Sequence, residues 1–339
     1  MSLTPRIKVS GEAAGYHVTM RTNGGEYRLD DDMKKFFIKT LKRLKTLYYV
    51  HYYGFAVLDN HYHLLLRLDD YEDIDPKEAL ERWNAYHEEE YQRSHLSDQH
   101  RDYVARQLTD ISSFMKRLNV LLTRRYNRAT GNTGTLWESR FRSSVVERGP
   151  AMAMCGAYIE LNGFRASKVK KPEDYAYSSI HILTQGDPDK LMDIDLIAES
   201  FDREDLWEEG EEPEEREDKV KAVTEAYLRV IYESGTTPHR DEHGIPEEGG
   251  RVITEKMLEH LKRHTMRCDS GAFADRCIDY VKSKFLGSER FAQAMFETHV
   301  RKRVSTQDTE SWLHATAHGL WSVRWKGGFE HAPHEEDSG

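Results

Sequence analysis

Two spacings divide the first half of the chain. Short runs rich in aromatic and β-branched residues read as strands, and longer runs with apolar positions three and four apart read as helices. Gly15 to Thr22 is a first strand, closed by Asn23-Gly24-Gly25. Asp30-Asp31-Asp32 then leads into Met33 to Leu44, where Phe37, Leu41 and Leu44 share a stripe and the acid-to-base order suits a helix dipole. Tyr52 to Leu68 contains two strand-like runs around Asp59-Asn60, a pair that tolerates the positive φ of a tight hairpin. Residues 69–100 form a polar excursion with a helix over 76–92, and residues 103–127 form one amphipathic helix ended by Gly131-Asn132-Thr133-Gly134. Ser143 to Glu147 is a fourth strand, and Ala151 to Leu161 a helix ended by Asn162-Gly163.

The order strand, helix, strand, strand, helix, strand predicts an α+β fold: a ferredoxin-like split β-α-β palm, with four antiparallel strands and helices on one face. A last helix follows, and the domain spans 10–185. An acidic linker over 186–218, a helical C-terminal domain over 219–306 with helices at 219–233, 252–267, 271–285 and 288–302, and a tail over 307–339 complete the expected organisation.

Composition adds limits. Of 339 residues, 32% are charged and 38% hydrophobic, a soluble profile. No apolar run is long enough to span a bilayer and no signal peptide opens the chain, so no membrane partner is expected and the expected location is cytoplasmic. Cys155, Cys268 and Cys277 lack metal spacing and read as reduced thiols. The net charge of −10 excludes a uniformly basic nucleic-acid binder. It hides an asymmetry: residues 101–145 carry nine Lys/Arg against three acids, and 201–218 eleven acids against two Arg.

The candidate chemistry begins in the hairpin. Alternation puts His61 and His63 on one face of a strand and Tyr62 on the other. Imidazoles about 7 Å apart can share one metal ion, although such a pair also arises by chance in a chain with 17 His. Tyr158 and Asn162, four apart, point from one face of a helix. If that face meets the strand, an amide oxygen joins two imidazoles and a phenol stands beside them. Tyr126, in Arg124-Arg125-Tyr126-Asn127-Arg128, is a rival phenol with no ligand partner at that spacing.

Together these stretches resemble a known family. His61-Tyr62-His63 in its hairpin, Leu136 to Ser143, Tyr158-Ile159-Glu160-Leu161-Asn162 and Tyr175-Ala176-Tyr177-Ser178-Ser179 occur in the order found in the single-tyrosine HUH transposases, and most resemble the REP-associated tyrosine transposases. The resemblance implies a metal-dependent single-stranded DNA endonuclease and strand transferase acting near hairpins. His61, His63 and Asn162 would hold Mg²⁺ or Mn²⁺, and Tyr158 would be the nucleophile. The chain would work as a monomer or as a homodimer exchanging tyrosine helices, associated with the nucleoid. Lys116, Arg117, Arg124, Arg125, Arg128, Arg140 and Arg142 would hold DNA phosphates, and Trp137 would stack on a base. Two departures stand out: Leu58-Asp59-Asn60 where the family commonly has Met-Pro-Asn, and Asn162-Gly163 where it has Asn-Pro. Phe285 to Phe291 resembles a C-terminal extension of longer relatives. Two alternatives remain: a domesticated transposase that binds DNA as a regulatory or structural protein without catalysis, and a metal-dependent phosphodiesterase that uses water.

Overall fold

The computed structural model describes residues 9, 14–87, 97–185, 191–201, 206, 214–236, 251–264, 283–295, 298, 313–315 and 321–324. Its elements run β1 (Ala14–Arg21), α1 (Asp31–Lys45), β2 (Val50–Val57), β3 (His61–Leu68), α2 (Pro76–Tyr86), α3 (Asp98–Leu108), α4 (Ile111–Thr130), β4 (Arg142–Val146), α5 (Pro150–Arg165), α6 (Ser179–Thr184) and α7 (Ile194–Ala198). Then follow α8 (Arg216–Ser234), α9 (Glu255–His264), β5 (Ser283–Gly287), α10 (Glu289–Met295), β6 (Leu313–Ala315) and β7 (Trp321–Arg324). No helix among the described residues is long and apolar enough to cross a membrane.

The first four strands form the expected antiparallel palm, in the order β2-β3-β1-β4. Alternation decides what each face meets. Phe37 of α1 packs on Tyr62 at 4.8 Å between ring centroids, and the Tyr62 hydroxyl donates to Asn119 Oδ1 of α4 at 2.8 Å. Thus α1 and α4 cover one face, burying Phe37, Leu41, Leu44, Phe114, Leu118 and Leu122. The other face, which carries His61 and His63, meets α5. In β2, Tyr52 faces Phe114 and Tyr53 faces Tyr227 of α8, and a bulge between Tyr52 and Gly54 brings Gly54 onto the same face as Tyr53.

Several expectations change. The single helix over 103–127 is two, because Asp110 accepts a hydrogen bond from Ser113 N at 2.7 Å and starts a new helix there. Gly131, at φ +72°, ends that helix in the left-handed conformation. By contrast Gly163 does not end α5, which runs on to Arg165. The Tyr175 ring covers it so closely that a Cβ there would lie 2.5 Å from a ring carbon. What the position requires is a missing side chain.

Over 219–306, where a helical domain is expected, the described residues hold both helix and strand and pack on the palm. Helix α8 forms as expected but packs on α5, burying Val223, Tyr227 and Ile231. Residues 283–285, expected at the end of a helix, belong to a strand: β5 pairs with β4 in parallel, and β7 and β6 extend the sheet to seven described strands. Most of the acidic run, of the 271–285 helix and of the tail lies outside the described residues.

Candidate active site

The hairpin tip is clamped before it presents its histidines. Thr22 N donates to Asn60 O at 2.8 Å, Leu29 N to Asp59 O at 2.8 Å, and Asn60 Nδ2 to Gly25 O at 2.9 Å. Lys34 Nζ reaches Asp59 at 2.6 Å, and Lys168 pairs with the same carboxylate. Burial pushes the Asp59 carboxyl up, but the hydrogen bonds from Lys168 and Lys34 outweigh it and hold the group below the usual carboxylate range. The departure at Asp59 therefore ties the hairpin to α1 and to the segment after α5.

On β3, His61 Nδ1 bonds Asn60 Oδ1 at 2.7 Å. Burial, with Arg21 nearby, pushes His61 down to about 4, so its imidazole is neutral near pH 7. The His61 and His63 ring centroids lie 5.2 Å apart, edge to face. His63 Nδ1 bonds His17 Nε2 of β1 at 3.0 Å, the rings lying nearly parallel. His17 pairs in register with Leu65 and Thr19 with His63, so the two histidines are diagonal neighbours on one face.

Helix α5 brings the phenol and the amide. The Tyr158 ring stands edge-on to His63 at 5.6 Å and to His17 at 6.1 Å. Asn162 Nδ2 donates to Tyr158 O at 2.9 Å and to Ile159 O at 3.1 Å, so Oδ1 is the amide atom turned away from the helix backbone. His61, His63, Tyr158 and Asn162 all line one cleft of about 720 Å³, together with Arg21, Arg140, Arg142 and Arg165. Glu138 is its one acidic wall residue, so the cleft suits an anion.

Behind α5 the packing is polar and closed. Glu160 is fully buried, in contact with Ser179 Oγ, Ile180 N at 3.1 Å and the Tyr227 hydroxyl at 3.5 Å. Burial, partly offset by these hydrogen bonds, pushes its carboxyl up to about 8. Tyr175, packed on Gly163, donates from its hydroxyl to Val57 O at 2.7 Å. The stretch Tyr175 to Ser179 thus fixes the height of α5 over β2.

Other assigned residues lie elsewhere. Lys116, Arg117, Arg124, Arg125 and Arg128 are on α4, on the far face of the sheet from His61 and His63. Arg117 lies over the Trp83 and Tyr86 rings at 5.6 and 5.5 Å, and Arg125 over Phe36 at 5.9 Å. Tyr126 shares that helix. Trp137 is buried, packed edge-on against Tyr62 at 5.5 Å with Nε1 donating to Asn119 O at 3.3 Å, so it is a core residue rather than a stacking platform. Two arginines of the cleft, Arg21 and Arg165, escaped the sequence, as did His17, buried behind His63. Arg165 is seven residues from Tyr158 and three from Asn162, on the same helix face. Ending the helix at Gly163 concealed it.

No group of three or more His, Cys, Asp or Glu among the described residues is positioned to hold a metal ion. The donor set that the sequence resemblance implies is of another kind, two imidazoles and an amide oxygen. It fits a divalent ion in two respects: Asn60 occupies His61 Nδ1, and Asn162 turns its oxygen away from its own helix.

No family model matches the sequence, and no curated protein matches it either. Among solved structures the chain is similar to one described as a REP-associated tyrosine transposase bound to a REP hairpin. Identity is 19%, the alignment covers 55% of this chain and 86% of that one, and the TM-score is 0.35.

Proposed function

We propose that the protein is a metal-dependent single-stranded DNA endonuclease and strand transferase, with Tyr158 as nucleophile and a strand beside a hairpin as substrate. One observation carries this reading: Tyr158 and Asn162 on α5 share a cleft with His61 and His63, walled by four arginines. His61, His63 and Asn162 would hold Mg²⁺ or Mn²⁺, which when bound supplies polarisation of a phosphoryl oxygen.

The protein's own groups do the rest. Arg21, Arg140, Arg142 and Arg165 bind and orient the phosphodiester, whose negative charge complements theirs. The Tyr158 oxygen attacks phosphorus, forming a tyrosyl ester to the 5′ side while the bond to the 3′ oxygen breaks. The proton lost by the phenol is balanced by the one gained by the departing 3′ hydroxyl. The ester retains the energy of the broken bond, so a 3′ hydroxyl can displace Tyr158 and rejoin DNA without ATP. A phenol is ordinarily a weak nucleophile, with a free pKa of about 10.

The test uses the full chain, labelled hairpin oligonucleotides with single-stranded flanks, and Mn²⁺. The expected product is a denaturant-resistant protein–DNA adduct mapped to Tyr158. Tyr158→Phe should lose both adduct and nicking and keep DNA affinity. Turnover surviving that change would favour a hydrolytic phosphodiesterase. Tight binding with no turnover by the unaltered protein would favour a non-catalytic DNA-binding role.

A further inference from the structure

We propose that His17 is a positioning residue that sets the tautomer of His63 and so makes it a ligand. This rests on the metal site proposed above.

A neutral imidazole has one N–H donor and one lone-pair acceptor. His17 Nε2 and His63 Nδ1 lie 3.0 Å apart, so one nitrogen donates and the other accepts. If His17 donates, the His63 proton sits on Nε2, and that nitrogen cannot bind a cation. If His63 donates from Nδ1, its Nε2 is left with the lone pair, and His63 lines the cleft. Only the second arrangement is compatible with ligation. It requires His17 to carry its own proton on Nδ1 and to offer Nε2 as acceptor.

The neighbouring ligand follows the same plan. His61 Nδ1 meets Asn60 Oδ1 at 2.7 Å, an oxygen that can only accept. That contact fixes the proton of His61 on Nδ1 and its lone pair on Nε2. Two candidate ligands, two residues apart on one strand, are thus each held through Nδ1 by a neutral acceptor. One acceptor is an amide oxygen from the turn, the other an imidazole nitrogen from β1. Acceptors behind a ligating histidine orient the ring and raise its basicity, and their loss typically weakens metal affinity about 10–100-fold. His17 is 2% exposed, so water does not readily replace it as acceptor.

Packing and acceptor roles can be separated. His17→Phe keeps a planar ring beside His63 and removes the acceptor. His17→Gln sacrifices the ring and restores an acceptor, since its Oε1 reaches the position of Nε2. Mn²⁺ binding to the full chain without DNA would be followed by electron paramagnetic resonance. The His63 tautomer would be read with Mg²⁺ from imidazole ¹⁵N shifts of histidine-labelled protein, assigned by His63→Gln. A Mn²⁺ Kd about 10-fold or more weaker in His17→Phe, with substantial recovery in His17→Gln, is expected. The wild-type His63 should be protonated on Nδ1. The inference is overturned if the wild type binds Mn²⁺ in a His61-dependent manner while His17→Phe binds it equally well, or if Phe outperforms Gln. The metal-site reading itself fails if wild-type Mn²⁺ binding is absent or indifferent to His61→Ala. Single-stranded DNA affinity and thermal midpoint, measured on each variant, identify a misfolded one; should His17→Phe misfold, the tautomer in the wild type decides alone.

Discussion

The two faces of the palm sheet are built from the same alternating strands and have little else in common. On the α1/α4 face, Tyr62, Phe37, Phe114 and Leu118 make an apolar layer, and the charge lies outside the helices, where α4 has cations and no acid. On the α5 face, His17, His63 and Tyr158 are buried within the layer itself, and the arginines line a cleft between sheet and helix. Helix α4 keeps Lys116, Arg124, Arg125 and Arg128 exposed among the described residues. Helix α5 has the sheet on one side and α8 on the other, so thirteen of its sixteen residues are buried. Charge facing outward on a helix satisfies solvent. Polar groups facing inward must each have a partner, and that requirement is what holds a site in shape.

The largest effect should separate the two tyrosines in otherwise comparable helices. Tyr158→Phe is expected to lower nicking by at least ~10³-fold, because no covalent ester can form. Tyr126→Phe, on the other face, should leave the single-turnover rate within about twofold, since it touches none of the reacting groups. Loss of the adduct in Tyr126→Phe with its retention in Tyr158→Phe would reverse the assignment of the faces.

Packing gives the next contrast. Gly163→Ala would drive a Cβ into the Tyr175 ring, with 2.5 Å available, and overpacking of this kind costs about 1–3 kcal/mol. Val120→Ala on α4 removes a side chain that is 39% exposed, and should stay within about 0.5 kcal/mol. Urea denaturation of the two variants checks this, and equal losses would mean α5 is less confined than its burial suggests.

That contrast also explains what the sequence could convey. The β1–β4 strands and the hairpin were legible from their aromatic and β-branched runs and turn residues, and α1 from its apolar stripe; His61 and His63 came from alternation, and Tyr158 and Asn162 from their four-residue spacing together with the family resemblance. Helix α4 showed which of its sides faces inward, but no period says which face of a sheet a helix covers. So Arg124 and Arg128 were grouped with Arg140 and Arg142 as phosphate contacts, although only the latter two line the cleft, beside Arg21 and Arg165. The pairing of His17 with His63 depends on the β1–β3 register, and strand β5 on residues 283–287 reaching β4 from more than a hundred positions away. Neither is a local property of the chain.

Salt dependence sharpens the same division at lower amplitude. Lys116, Arg124 and Arg128 are exposed on α4. Each phosphate contact contributes about 0.7 to the slope of log affinity against log salt for a single strand. Replacing all three by Ala should leave the nicking rate at saturating DNA unchanged. It should flatten the salt slope by no more than about 2, measured by fluorescence anisotropy across a salt series. Arg140→Ala with Arg142→Ala should instead slow nicking at saturating DNA. A slower rate in the α4 variant would show that its face reaches the scissile phosphate.

The smallest effect distinguishes two histidines on adjacent strands. His61, with no carboxylate bonded to it, is pushed down to about 4 by burial and Arg21. His51 on β2 is bonded to Asp193 at 2.5 Å and to Asp69 at 2.9 Å. Burial opposes its charge, but the hydrogen bonds to Asp193 and Asp69 prevail and push it up to about 8 from 6.5. Asp193, which also caps α7 through Leu196 N at 2.9 Å, is correspondingly held at about 2. A histidine raised in the folded state stabilises it most below its unfolded value, and that contribution fades as pH rises through the folded value. A rise from 6.5 to about 8 corresponds to a ceiling of ~2 kcal/mol, reduced to roughly 1 by partial exposure and salt. The Asp193 shift describes the same interaction and is not added to it. His51→Gln should therefore cost about 1 kcal/mol near pH 6 and little near pH 9, in urea titrations at each pH. An equal loss at both pH values would mean that His51 joins β2 to α7 by hydrogen bonding alone, with no contribution from its charge.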